Sequence, residues 1–149
     1  MTGLGSMGSS IGAAIGAQLA HPQRSVAAIC GDGCFAMNAF EVATATAERL
    51  PICVFVFNDA RLGMVELGHQ AVYGRSPTYD TRPMDVVQLA RGLGAEALAV
   101  ERPGQLLEAL LLPRRPNRPL VVDVQIDRTV RMPKRDRFDA FSQPPKILN

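Results

Sequence analysis

Ser25-Val-Ala-Ala-Ile-Cys-Gly-Asp-Gly33 and Ile52-Cys-Val-Phe-Val-Phe-Asn-Asp59 decide the fold. Each is a short apolar run, rich in β-formers, that ends in an acidic residue. Between Gly33 and Asn58 lie 24 residues, enough for one helical crossover. Two parallel strands joined in this way would carry Asp32 and Asp59 at the same end of a sheet. Ligands of open parallel sheets sit at the carboxyl ends of the strands. Oxygen donors placed there suit a hard divalent cation that also grips a phosphate.

Outward from these runs, elements alternate. Ser9 or Ser10 can cap a helix in which Ile11, Ile15 and Leu19 recur every fourth residue, and His21-Pro22 ends it. Asn38 and Glu41 have the spacing of a capping box and open a helix to about Arg49. Residues 58–83 read as a short helix and then a loop. A helix begins at Met84 or Asp85 and stops at Gly92-Leu-Gly94. Residues 95–100 alternate as a strand, 104–112 are helical, and 120–126 form a buried strand. The expected class is α/β: a three-layer, doubly wound, mostly parallel sheet with helices on both faces. Residues 1–127 form the domain, and 128–149, charged and proline-containing, form a C-terminal tail.

The ordered motifs resemble the C-terminal, diphosphate-binding domain of thiamin-diphosphate-dependent enzymes of the acetolactate synthase-like family. The pieces that carry the resemblance are Gly3-Leu-Gly-Ser-Met-Gly8, Ala13-Ala-Ile-Gly-Ala-Gln18, Gly31-Asp-Gly-Cys-Phe-Ala-Met-Asn38, Leu62-Gly-Met-Val65 and Val100-Glu-Arg-Pro103. The resemblance implies thiamin diphosphate and Mg2+ as cofactors. It implies that the Gly5 carbonyl accepts the aminopyrimidine amine, that Met7 is the apolar wedge bending the cofactor, and that Ser6 lies beside them. Gly31, Gly33, Cys34, Asn58, Gly63 and Met64 would line the diphosphate. Asp32 and Asp59 would give side-chain oxygens to the metal, and Arg61 its backbone carbonyl.

Asp59 stands where the family carries a second asparagine. Two carboxylates would then face an anionic diphosphate through one divalent ion, and Arg61 is the candidate for compensation. Two further positions bear on substrate. Gly68 replaces the tryptophan associated with acceptor choice in acetolactate synthases. Val65 occupies the place of a glutamate in simple decarboxylases, with Glu66 one step away.

No catalytic residue is expected in this chain, because the family's glutamate lies on a separate pyrimidine-binding domain that nothing here resembles. The match begins almost at Met1, so the diphosphate domain is expected to lack its N-terminal part. The implied activity is decarboxylation and carboligation of a small 2-oxo acid, incomplete without a pyrimidine-binding domain or subunit in trans, in a homo- or hetero-oligomer. Competing readings are a 2-oxo-acid decarboxylase of the same superfamily and a non-catalytic, truncated or partner-binding subunit. A dinucleotide binder would match Gly3-x-Gly-x-x-Gly8, yet no strand precedes that motif.

Composition is ordinary for a globular chain of 149 residues: 47% hydrophobic, 20% charged, net charge +2. The late basic residues, Arg114, Arg115, Arg118, Arg128, Arg131, Lys134, Arg135 and Arg137, lack interleaved aromatics and argue against a nucleic-acid surface. The glycine-rich first twenty residues, without a basic start, read neither as a signal peptide nor as a membrane span. Cys30, Cys34 and Cys53 form no disulfide framework or zinc spacing, which points to a reducing, cytoplasmic setting. His69, after the expected metal loop, is a candidate to face substrate.

Overall fold

A computed structural model describes residues 5–111 and 115–130. The two diagnostic runs are strands β1 (Ala27–Gly31) and β2 (Cys53–Asn58), and they pair in parallel with Gly31 opposite Phe57. Before β1 runs helix α1 (Ser9–Ala20). Between the strands come α2 (Asp32–Asn38) and α3 (Glu41–Ala47). Then follow α4 (Gly63–Tyr73), α5 (Val86–Gly92), β3 (Glu96–Val100), α6 (Gln105–Leu111) and β4 (Leu120–Gln125). The four strands are all parallel, in the order β1-β2-β4-β3. The chain therefore folds as the doubly wound α/β sheet its alternating elements predict.

Strand alternation divides the core into two layers. Ala28, Cys30, Val54, Val56, Ala97 and Val121 point to one face and pack with Ile11, Ile15, Phe35, Val42, Val86 and Ala90 from α1, α2, α3 and α5. Phe55, Leu98, Val100, Leu120, Val122 and Val124 point to the other face, where α6 contributes Leu106 and Ala109. Each fully buried large side chain contributes about 1.5–3 kcal/mol by leaving water. The second layer thins toward the β1 edge: Ile29 of β1 is 65% exposed and Phe57, near the end of β2, 42%.

Three local expectations are corrected. The buried stripe of α1 is Ile11, Ala14, Ile15 and Gln18, while Leu19 is exposed. At about 100° per residue, position 18 returns beneath position 11, and a strict spacing of four drifts off the face. Gln18 Nε2 reaches the carbonyls of His21, Pro22 and Arg24 and ties down the turn that ends the helix. Neither Ser9 nor Ser10 caps α1. The N-cap is Gly8 in the left-handed region, φ 83°, and the Ser9 hydroxyl donates to Ser6 O instead.

Nor do Asn38 and Glu41 form a capping box. Asn38 ends α2, its amide donates to Gly8 O at 2.7 Å, and Ala39 and Phe40 stay helical. A residue already inside a helical run has no extended conformation from which to cap the next one. Asp85 does cap α5, accepting the Gln88 amide at 2.8 Å. The segment 58–83 is more helical than expected, since α4 spans 11 residues, none of them buried. Most of the proposed tail lies outside the described residues.

Candidate functional site

Because β1 and β2 end in register, Asp32 and Asn58 follow their last paired residues at the same sheet end. Gly31 is extended, φ −81°, and Asp32 is the first residue of α2. Its carboxylate is buried. Burial raises its pKa. The Gly33 and Asp32 amides and the Thr81 side chain oppose that shift, and the charge of Asp59 adds to it. Two largely shielded carboxylates that feel each other's charge form a natural seat for a divalent cation.

Asn58 is buried at the sheet end, with its amide fully oriented. Nδ2 donates to Asp123 Oδ1 at 3.0 Å, and Oδ1 accepts the Ala60 amide at 3.2 Å. The second bond is an Asx turn, and it throws Ala60 into the left-handed region, φ 52°. Residues 79–81 brace this loop from outside: Leu62 N donates to Tyr79 O and Thr81 N to Ala60 O. Asp59 emerges with Oδ2 held by Arg61 Nε at 2.6 Å.

Other expected residues converge on the same corner. A Cβ at Gly33 would collide with Leu62 Cδ2 and approach Met7 Cε to 3.5 Å. Gly33 thus lets a side chain from a different motif pack against it, and an added Cβ would push the Leu62 methyl aside. Gly63 starts α4, and a Cβ there would lie 3.3 Å from Arg61 Nε and 3.4 Å from Asp59 Oδ2. Met7 and Met64 remain exposed, at 41% and 54%. Gly5, φ 62°, and Ser6 border a separate groove of about 410 Å3 between α1 and the free edge of β1.

Not every expected residue joins this group. Cys34 packs against the core and lines that same groove beside Ser10 and Cys30. His69 is engaged locally: Nδ1 meets Arg75 O at 2.9 Å, and the ring packs on Tyr73 and Tyr79. Cys30, Cys34 and Cys53 form no disulfide among the described residues, and burial pushes the Cys30 thiol upward.

Asp123, Thr81 and Asp80 escaped the reading from sequence. Asp123 is 94% buried in β4, its second oxygen accepting Gln125 Nε2 at 2.9 Å, and burial raises its pKa. The available signal was an acid inside an otherwise apolar strand, a placement that requires a partner. Thr81 and Asp80 gave no signal, because their importance comes from a loop folding back over the Asn58–Leu62 segment.

The donors fit a magnesium diphosphate better than a bare ion. Among the described residues no three carboxylate, imidazole or thiol groups cluster as a metal cage. Mg2+ usually takes one or two carboxylates and completes its octahedron with phosphate oxygens and water. Asp32, Asp59 and the Arg61 carbonyl are donors of that hard type.

Residues 1–124 match the family described as the C-terminal TPP-binding domain of thiamine pyrophosphate enzymes. The chain belongs to that family. It is 41% identical over 128 residues to an acetolactate synthase of Mycobacterium leprae, covering 81% of this chain and 20% of that protein. It is 34% identical over 125 residues to an acetolactate synthase of Bacillus subtilis, covering 84% and 22%. Among solved structures, a thiamine diphosphate-dependent 4-hydroxybenzoylformate decarboxylase of Rhodococcus jostii superposes with a TM-score of 0.70 at 27% identity. That superposition covers 80% of this chain and 23% of the decarboxylase. The chain thus spans about a fifth of the length of these relatives. Among the described residues no helix is long and apolar enough to cross a membrane.

Proposed function

We propose that this chain binds the diphosphate of thiamin diphosphate through Mg2+, as part of an acetolactate synthase-like enzyme that decarboxylates and ligates small 2-oxo acids. The observation that carries the reading is the convergence at one sheet end of Asp32, Asp59, Gly33, Leu62 and Met7, drawn from four separate stretches of sequence. Asp32, Asp59 and the Arg61 carbonyl would hold the metal. Gly31, Gly33, Asn58, Gly63 and Met64 would border the diphosphate, with Asn58 shaping the loop through Asp123. Gly5, Ser6 and Met7 would meet the pyrimidine side of the cofactor, and the Cys34 backbone would border its phosphates. When bound, the thiazolium supplies an electron sink for the carbanion left by decarboxylation.

Proton transfer at the cofactor ring would fall to a glutamate on a pyrimidine-binding domain in trans, so the chain alone is expected to be inactive. The chain would act within an oligomer. Three cysteines outside any disulfide among the described residues are in keeping with a reducing, cytoplasmic compartment. Calorimetric titration of thiamin diphosphate with and without Mg2+ tests the reading. Mg2+-dependent binding lost in Asp32→Ala is expected. Binding that ignores both the metal and Asp32 would refute it. The second reading, a non-catalytic partner-binding subunit, draws on the sheet face left bare at Ile29 and Phe57. It predicts partner binding that is indifferent to Asp32→Ala.

A further inference from the structure

We propose that Arg61 is the counter-charge of the metal loop, and that it makes the site select a metal already carrying a diphosphate over the bare ion. The proposal rests on the cofactor reading above and concerns this chain's own departure from the Asn-Asn pattern. Asp59 brings a second negative charge beside Asp32. Arg61 Nε holds one oxygen of that carboxylate, Oδ2, at 2.6 Å and leaves Oδ1 outside the bond. The pair is largely shielded, with side-chain exposures of 20% for Arg61 and 12% for Asp59, so water screens it only partly.

Arg61 has partners besides Asp59. Its Nη2 donates to Arg128 O, and its Nη1 lies 3.7 Å from Glu66. Arg128 pairs in turn with Asp80, whose backbone bridges that of Arg61. Gly63 leaves room beside the pair, since a Cβ at 63 would crowd Arg61 Nε slightly, at 3.3 Å, and touch Asp59 Oδ2 at 3.4 Å. The cation is therefore fixed by three segments and stays at the site when Asp59 turns an oxygen toward a metal.

The consequence follows from charge. Asp32 and Asp59 together offset the charge of a divalent ion, so a diphosphate would coordinate the metal with little further electrostatic attraction from the site. Arg61 adds one positive charge to the loop, partly offset by Glu66 at 3.7 Å, and so favours the anion and disfavours Mg2+ alone. Removing Arg61 should shift the two affinities in opposite directions.

The test is calorimetry on the full chain with MgCl2 alone and with thiamin diphosphate at saturating Mg2+. Circular dichroism provides a check of folding. Arg61→Gln is expected to tighten Mg2+ alone about tenfold and to weaken thiamin diphosphate about tenfold, the size of one partly screened unit charge. Asp59→Asn is expected to do the reverse, and Arg61→Gln with Asp59→Asn to return both affinities toward the parent. Arg61→Lys keeps the charge and should retain the parent's preference. A purely structural Arg61 would weaken both ligands together, and that result, or no change in either, overturns the proposal. If Mg2+ binds and thiamin diphosphate does not, the cofactor reading falls, while the Mg2+ arm still decides the role of Arg61. If neither binds the parent chain, both fall.

Discussion

Gly8→Ala probes the joint between the Met7 segment and α2, and its cost can be worked from the geometry. Gly8 has φ +83°, a conformation that costs an L-residue about 1–2 kcal/mol. The new Cβ would lie 2.8 Å from Asn38 Nδ2, so the amide that donates to Gly8 O must move. Weakening that bond costs about 0.5–1.5 kcal/mol. Restricting the unfolded chain returns about 0.4–1 kcal/mol. The expected net loss is about 1–3 kcal/mol, or a melting temperature lower by roughly 3–10 °C for a chain of this size.

Gly12→Ala is the matched control. Gly12 sits inside α1 with nothing within 4 Å of a Cβ, so the same substitution should stabilise by about 0.5–1 kcal/mol. Urea unfolding followed by circular dichroism, with unchanged m-values, measures both. A Gly8→Ala protein as stable as the parent, or two variants that move together, would refute the reasoning. Asn38→Ala separates the two contributions. If the amide bond matters, the double variant with Gly8→Ala should lose less than the sum of the single losses.

Phe35→Ala removes a fully buried ring of α2 and should cost about 3–5 kcal/mol in urea unfolding. Gly33→Ala should cost about 1 kcal/mol or less, because only the flexible end of Leu62 must move, and any cost should be relieved by Leu62→Ala. Absence of that relief would place the strain elsewhere. Burial raises the Asp123 carboxyl, so the folded state holds its proton more tightly than the unfolded chain does. Its contribution to stability is therefore present at low pH and lost as pH rises from the ordinary carboxylate range through its raised value. Asp85 and Asp127 are held low by hydrogen bonds from Gln88 and Thr129, and have already ionised below that window. Asp123→Asn should flatten this part of the stability profile, measured by denaturation at a series of pH values, and an unchanged slope would contradict the assignment.

The sequence by itself determined the layered sheet. Apolar runs of strand length, separated by helix-length segments, can bury both faces in only a few ways, and a parallel sheet wound on both sides is the one they fit. It also located Asp32 and Asn58-Asp59, because a residue just past a parallel strand is at the ligand end wherever that strand lies in the sheet. The sequence misplaced what depends on angle and distance. Leu19 yields its expected buried place to Gln18 because helical phase accumulates. Asn38 serves a carbonyl thirty residues away instead of its own helix. Asp123 and Thr81 reach the site from chain segments far beyond Asp59, and the Arg61–Asp59 bond lies against the open flank of Gly63. Local propensity and periodicity act within a few residues and are readable in order along the chain. Which side chains meet across elements depends on register, rotamer and the room left by a missing Cβ, and only the folded chain decides those.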